Sequence, residues 1–180
     1  MYSETRLHLV RHGFPIKSIR YLCGKDVRAS GVFARDLKPN QCCMWAFHRL
    51  FLPRVIGLFD TCKTLRVVLW LEDDARLKKV ECARSVYKQA SSVAPAACRM
   101  GWWSGGGHYL YGSHAVAFSR KACLAFQADL DSRETPGKPN AHMYGLDNYW
   151  TSVMRAQKDL IQLSQHRMFV QRSHPLQARK

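Results

Sequence analysis

The sequence predicts an α/β fold, with helices layered on a sheet, and three observations carry that prediction. The 180 residues, 47% of them hydrophobic, suffice for one domain with a sizeable core. Segments with strand-like and helix-like apolar spacing alternate along the chain. A continuous apolar and β-branched run, RVVLWLEDDARL at residues 66–77, reads as a strand buried on both faces and stopped by three acids, as in the middle of such a sheet.

The elements follow in order. Ser3 is placed to cap a helix over Glu4 to His12, with Gly13 as its left-handed terminator and Pro15 blocking continuation. Residues 16–22, IKSIRYL, alternate as a short strand does, and Gly24 and Gly31 bracket a loop. In LKPNQCCMWAFHRLFLPRVIGLFD, Asn40 reads as the N-cap of a core helix whose apolar side includes Met44, Phe47, Leu50 and Phe51, with Pro53 ending or kinking it. After the 66–77 run, Val80, Ala83, Tyr87, Ala90 and Ala94 recur at helical spacing until Pro95. GWWSGGG reads as a glycine-rich loop, followed by a strand through Val116 to Phe118 and a helix beginning near Ser119. A loop rich in Pro and Gly spans 131–145. Asp147 then caps an amphipathic helix over LDNYWTSVMRAQKDLIQL, and RMFVQRS is a last strand before a basic tail. Residues 1–173 thus form one domain and 174–180 the tail.

A formal charge of +15, with a pI near 9.9, attracts polyanions. The basic residues are spread along the chain, and no zinc-finger, ribonucleoprotein or helix-turn-helix signature is present, so no dedicated nucleic-acid site is expected. Seven cysteines show neither a CxxC pair nor zinc-ligand spacing and read as reduced core thiols. No continuous apolar run reaches the roughly 18 residues of a membrane span, and Met1 to Glu4 lack the pattern of a signal peptide. The chain as it stands therefore reads as soluble and cytoplasmic, without a transmembrane segment.

Two stretches bear on chemistry. In LHLVRHGFP, the tripeptide Arg11-His12-Gly13 is the one that carries the nucleophilic imidazole in histidine phosphatases, and it spells a helix end equally well. Glu72, Asp73 and Asp74 stand where the 66–77 strand leaves the sheet, a costly place for three carboxylates unless a cation neutralises them. The carboxyl edge of an α/β sheet is where ligands bind, and hard oxygen ligands suit Mg²⁺ or Mn²⁺, which in turn hold a diphosphate. The plain alternative is an acidic turn paired with Arg76, Lys78 and Lys79.

LWLEDDARL resembles the LEDD signature of the lipooligosaccharide and collagen-galactosyl glycosyltransferases. YGSHAVAFSRKACLAF resembles that family's "GthaYliSrkgAekLl" segment, GLDNYW its late "vDwyl" acid, and FVQRS its "lvvQ…S" strand. LKPNQCCMWAFHRLF is similar to the "pGEiGCalSH" helix, with His48 one place out of register and Asn40 and Gln41 where a Glu is expected. The likeness spans residues 8–173, and its specific parts are the LEDD and GSHAVAFSRKAC segments. The family's opening "vinLdrRpdR" strand is not evident, so the chain begins after it or lacks it.

The resemblance implies a GT-A-like (Rossmann-like) mixed sheet flanked by helices, without the first βα unit. It implies a hexosyltransferase that moves a sugar from a nucleotide-sugar donor such as a UDP-sugar to a hydroxyl of a glycan or protein, with Mn²⁺ or Mg²⁺. Glu72 and Asp74 would bind the metal with a late histidine, His166 or His174, and Asp73 would reach the ribose or the metal. Gly112, Ser113 and His114 would line the donor–acceptor cleft, Trp103 or its neighbour Trp102 would stack on the sugar, and Asp147 would serve as general base. Each has a plainer alternative: a core position for His114 and for one of the two tryptophans, a helix cap for Asp147. Two other readings stay open, a histidine phosphatase using His12 and a non-catalytic, glycosyltransferase-like basic interaction module.

Overall fold

A mixed six-stranded sheet carries helices on both faces. The computed structural model describes residues 2–20, 39–72, 75–92, 97–104, 110–134, 145–164 and 166–171. The strands are β1 (Val68–Leu71), β2 (Ala75–Leu77), β3 (Ala97–Ser104), β4 (Leu110–Phe118), β5 (Ile161–Leu163) and β6 (Phe169–Gln171), in the order β1-β4-β3-β6-β2, with β5 also against β3. The β1/β4, β3/β4 and β2/β6 pairs are antiparallel, whereas β5 and β6 run parallel to β3. The α/β class is as the sequence indicates.

Alternation along β4 assigns the two faces, because successive side chains of a strand point opposite ways. Val116 and Phe118 enter one core, covered by α2 (Pro39–Ala46), α3 (Leu52–Thr61), α5 (Arg120–Ser132) and α6 (Leu146–Ala156). Ala115 and Ala117 enter the other, covered by α1 (Tyr2–Arg11) and α4 (Ala83–Ser92) through Leu9, Val86 and Ala90.

Several local signals act as expected. Gly13 has φ of +88°, a left-handed conformation that ends α1 cheaply only at glycine. The Ser119 side chain accepts from the Ala122 backbone N–H at 3.2 Å and starts α5. The helix predicted from Asn40 instead begins at Pro39, a residue preorganised for a first helical turn. Nor does Pro53 end it: α2 runs into α3 through a π-helical stretch, Phe47–Phe51, in which the Leu52 N–H reaches the Phe47 carbonyl. The wider turn lies just before the residue that has no N–H to give and absorbs the break.

Other expectations are corrected. Residues 66–77 form two strands rather than one, and among the described residues β1 ends the sheet, its side chains only half-buried. Residues 16–18 form a 3₁₀ turn instead of a strand. Within α4 the buried pair is Val86 and Ala90, while Val80, before the helix, is 87% exposed and Tyr87 is 56% exposed. The GWWS part of the supposed loop belongs to β3, and the last helix stops at Ala156 so that residues 161–163 pair with β3. Helix Gln41–Thr61 corrects the expectation that no segment is long and apolar enough to cross a membrane: by length and composition it is, and half of its apolar window is buried inside the protein. Its inward residues Met44, Phe47, Phe51, Leu52, Val55 and Phe59 pack in the first core.

Candidate functional site

Strand register brings the chemistry-bearing residues together. The β1/β4 pairing continues one step past Leu71↔Ala115, so that the Glu72 N–H bonds the His114 carbonyl at 3.0 Å and Glu72 stands opposite His114. On β3, Arg99 pairs with Val116. Opposite residues of an antiparallel pair share a face, and so do residues two apart, which places Glu72, His114 and Arg99 on the face that α6 covers. Asp147 is the second residue of α6.

Arg99 is the cation of this group. It is completely buried, on an otherwise apolar strand, and its guanidinium donates to the Met154 Sδ of α6 at 3.6 Å. Burial pulls its pKa down to about 10, while the charges of Asp147 and Glu72 act the other way. A buried guanidinium is tolerable when carboxylates face it, and the two acids supply that compensation.

His114 is fully buried and lies across Gly101: a Cβ at position 101 would come within 2.4 Å of the imidazole Cδ2 and Nε2. The glycine is required there by close approach, at a point where the β3/β4 register shifts. Asp147 does not cap its helix. Gly145 is the N-cap, and the buried Asp147 Oδ1 accepts no hydrogen bond. Its carboxylate still sits in the first turn, where the helix dipole favours negative charge.

Of the residues singled out in the sequence, Glu72, His114 and Asp147 therefore converge. Asp73, Asp74 and His174 lie outside the described residues. Gly112 and Ser113 precede His114 in β4, and Trp103 pairs with Tyr111 in β3; only the backbone of these three is described. His166 stands on an exposed bend between β5 and β6, where its carbonyl accepts from the Ser164 hydroxyl. Among the described residues no group of three or more His, Cys, Asp or Glu is arranged to hold a metal ion.

His12 is on a helix end, not at the end of a strand. Its Nδ1 lies 2.8 Å from the Glu81 carbonyl and its ring 4.5 Å from that of His8. This is the helix-end reading of LHLVRHGFP. The cysteines are not all core thiols: Cys98 and Cys123 are buried, their pKa values pushed up to about 12 by burial, but Cys43, Cys62 and Cys82 are exposed. Cys23 lies outside the described residues.

Sequence reasoning missed Arg99, whose signal was an arginine inside the apolar ACRM run. It also missed a second polar network. The fully buried His48, in the π-helical stretch, places Nε2 2.8 Å from Asp131 Oδ1 and Nδ1 3.5 Å from Glu134 Oε1. Arg49 pairs with the same Glu134, joining the middle of the long helix to the end of α5.

No protein-family model, no curated protein and no solved structure matches this chain.

Proposed function

We propose that the chain is a metal-dependent glycosyltransferase domain with a GT-A-like sheet, transferring a sugar from a nucleotide-sugar donor to a hydroxyl acceptor on a glycan or protein. The observation that supports this reading is the convergence of Glu72 and Asp147, far apart in sequence, beside His114 and around the buried Arg99.

The donor set suits a hard divalent cation. Glu72 offers carboxylate oxygen at a strand end, and the buried Asp147 Oδ1 is an acceptor without a donor. Glu72 and Asp74 would hold Mn²⁺ or Mg²⁺, which when bound supplies Lewis-acid neutralisation of the departing diphosphate. Asp147 accepts the proton of the acceptor hydroxyl as its oxygen attacks the anomeric carbon. Arg99 fixes the charge balance between the two acids, and Gly101 leaves the room that His114 occupies.

One observation favours a second reading, the non-catalytic basic module: Arg99 already offsets Glu72 and Asp147. A single experiment separates the two. Thermal melting is followed with Mn²⁺, with nucleoside diphosphates and UDP-sugars, and with both together. The transferase reading expects nucleotide stabilisation that needs the metal, lost in Asp74→Ala and kept in His12→Ala. Absence of any response favours the module, and stabilisation by phosphate or vanadate without metal would restore the phosphatase reading.

A further inference from the structure

We propose that the outer face of α1 docks this protein on an anionic lipid surface. The helix is two-sided. Thr5 and Leu9 are buried, and His8 and His12 half-buried, against the edge of the sheet; the Leu77 N–H donates to His8 Nε2 at 2.9 Å and Arg76 donates to the Thr5 hydroxyl at 2.8 Å. At 100° per residue, Arg6, Val10, Leu7 and Arg11 follow one another around the opposite side, and all four are exposed. Two aliphatic side chains, Leu7 at 55% and Val10 at 37% exposure, are thus flanked by two guanidinium groups.

The neighbourhood repeats the pattern. Beyond Gly13 the chain adds exposed Ile16, Lys17 and Arg20. The turn before α4, tied to the end of α1 by the Ala83 N–H to the His12 carbonyl at 2.8 Å, adds exposed Lys79 and Val80. Among the described residues, Arg6, Arg11, Lys17 and Lys79 enter none of the ion pairs. The acids of this region are otherwise engaged: Glu4 lies 3.9 Å from Arg76, and Glu81 accepts from the Ser85 hydroxyl at 2.7 Å.

An apolar strip between cations is the pattern of a helix lying in the plane of a membrane interface. The aliphatic groups enter the acyl boundary while the long basic side chains reach anionic headgroups. The net charge of +15 supplies the long-range attraction. Aliphatic tips distinguish this partner from RNA, whose bases are held by stacking on aromatic rings.

The test is co-sedimentation of the full chain with phosphatidylcholine vesicles with and without phosphatidylserine. Binding is expected only to the phosphatidylserine vesicles and is expected to weaken as salt is raised. Arg6→Glu with Arg11→Glu lowers binding by about thirtyfold or more, from two lost basic contacts alone. Leu7→Ser with Val10→Ser lowers it several-fold at unchanged charge. Lys121→Glu with Lys158→Glu, the same charge change at exposed positions elsewhere, leaves it within about threefold. All four α1 positions are exposed, so thermal melts of these variants should overlay the parent. The proposal is overturned if the full chain ignores the phosphatidylserine vesicles, if the Lys121 and Lys158 pair matters as much as the Arg6 and Arg11 pair, or if the Leu7 and Val10 pair leaves binding intact. Capture of single-stranded RNA without vesicle binding would assign the charge to nucleic acid instead.

Discussion

Replacing Arg99 with methionine removes the buried cation and keeps most of the side-chain volume. In the native protein the guanidinium is fully buried with the charges of Asp147 and Glu72 upon it. Methionine removes the cation on which those two carboxylates act. Removing one partner of a buried ionic group costs about 3–5 kcal/mol, chiefly the penalty of the charge left behind. For a chain of this length that corresponds to a fall in Tm of roughly 6–20 °C. Urea denaturation followed by circular dichroism at pH 7 measures the loss directly. A further arm identifies its origin. Combining Arg99→Met with Glu72→Gln and Asp147→Asn should recover most of the stability, because no charge is then stranded. A loss under about 1 kcal/mol, or one unchanged by neutralising the two acids, would refute the assignment of Arg99 as their counter-charge.

Other outcomes follow from the same structure. Gly101→Ala drives a methyl group into the His114 ring and should cost about 1–3 kcal/mol by denaturant titration, with His114→Ala in the same chain recovering most of it. Phe47 is fully buried and meets the rings of Phe51, Trp70, Phe118, Phe126 and Trp150 within 6.0 Å, so Phe47→Ala should cost about 3–5 kcal/mol. Burial holds the His48 imidazole below its ordinary pKa of 6.5, with the Asp131 hydrogen bond and charge pulling the opposite way; His8 is lowered too, by burial and then by His12 and Arg76. Both groups protonate more readily in the unfolded chain, so their contribution is complete above about pH 6.5 and declines as the pH falls below it. Thermal melts between pH 7.5 and 5 should show a decline that His48→Gln makes shallower; a Tm flat across that range contradicts the sign.

What was legible in the sequence was what local chemistry decides. Gly13 ends α1 because only glycine adopts its φ cheaply, and Ser119 starts α5 because its hydroxyl reaches a free N–H; neither depends on the rest of the fold. Strand partnership is tertiary and was misread. Residues 67–71 are apolar throughout, yet among the described residues the sheet order leaves β1 at its end, and β5 hides in the IQL stretch that closes the segment read as a helix. The face of α4 was misjudged because alanine, tyrosine and valine at helical spacing do not say which stripe meets the sheet. The candidate site was half legible. Glu72 stood out because three acids at a strand end are costly, and Asp147 through the likeness of GLDNYW to a family segment, whereas Arg99 was hidden among 28 lysines and arginines until its burial distinguished it.

Isothermal titration of UDP into the full chain, with and without Mn²⁺, bears most directly on the glycosyltransferase reading. Heat of binding is expected only when Mn²⁺ is present, and it should disappear in Glu72→Gln while His12→Ala keeps it. No heat under either condition, or the same heat from Glu72→Gln as from the parent, would contradict the reading.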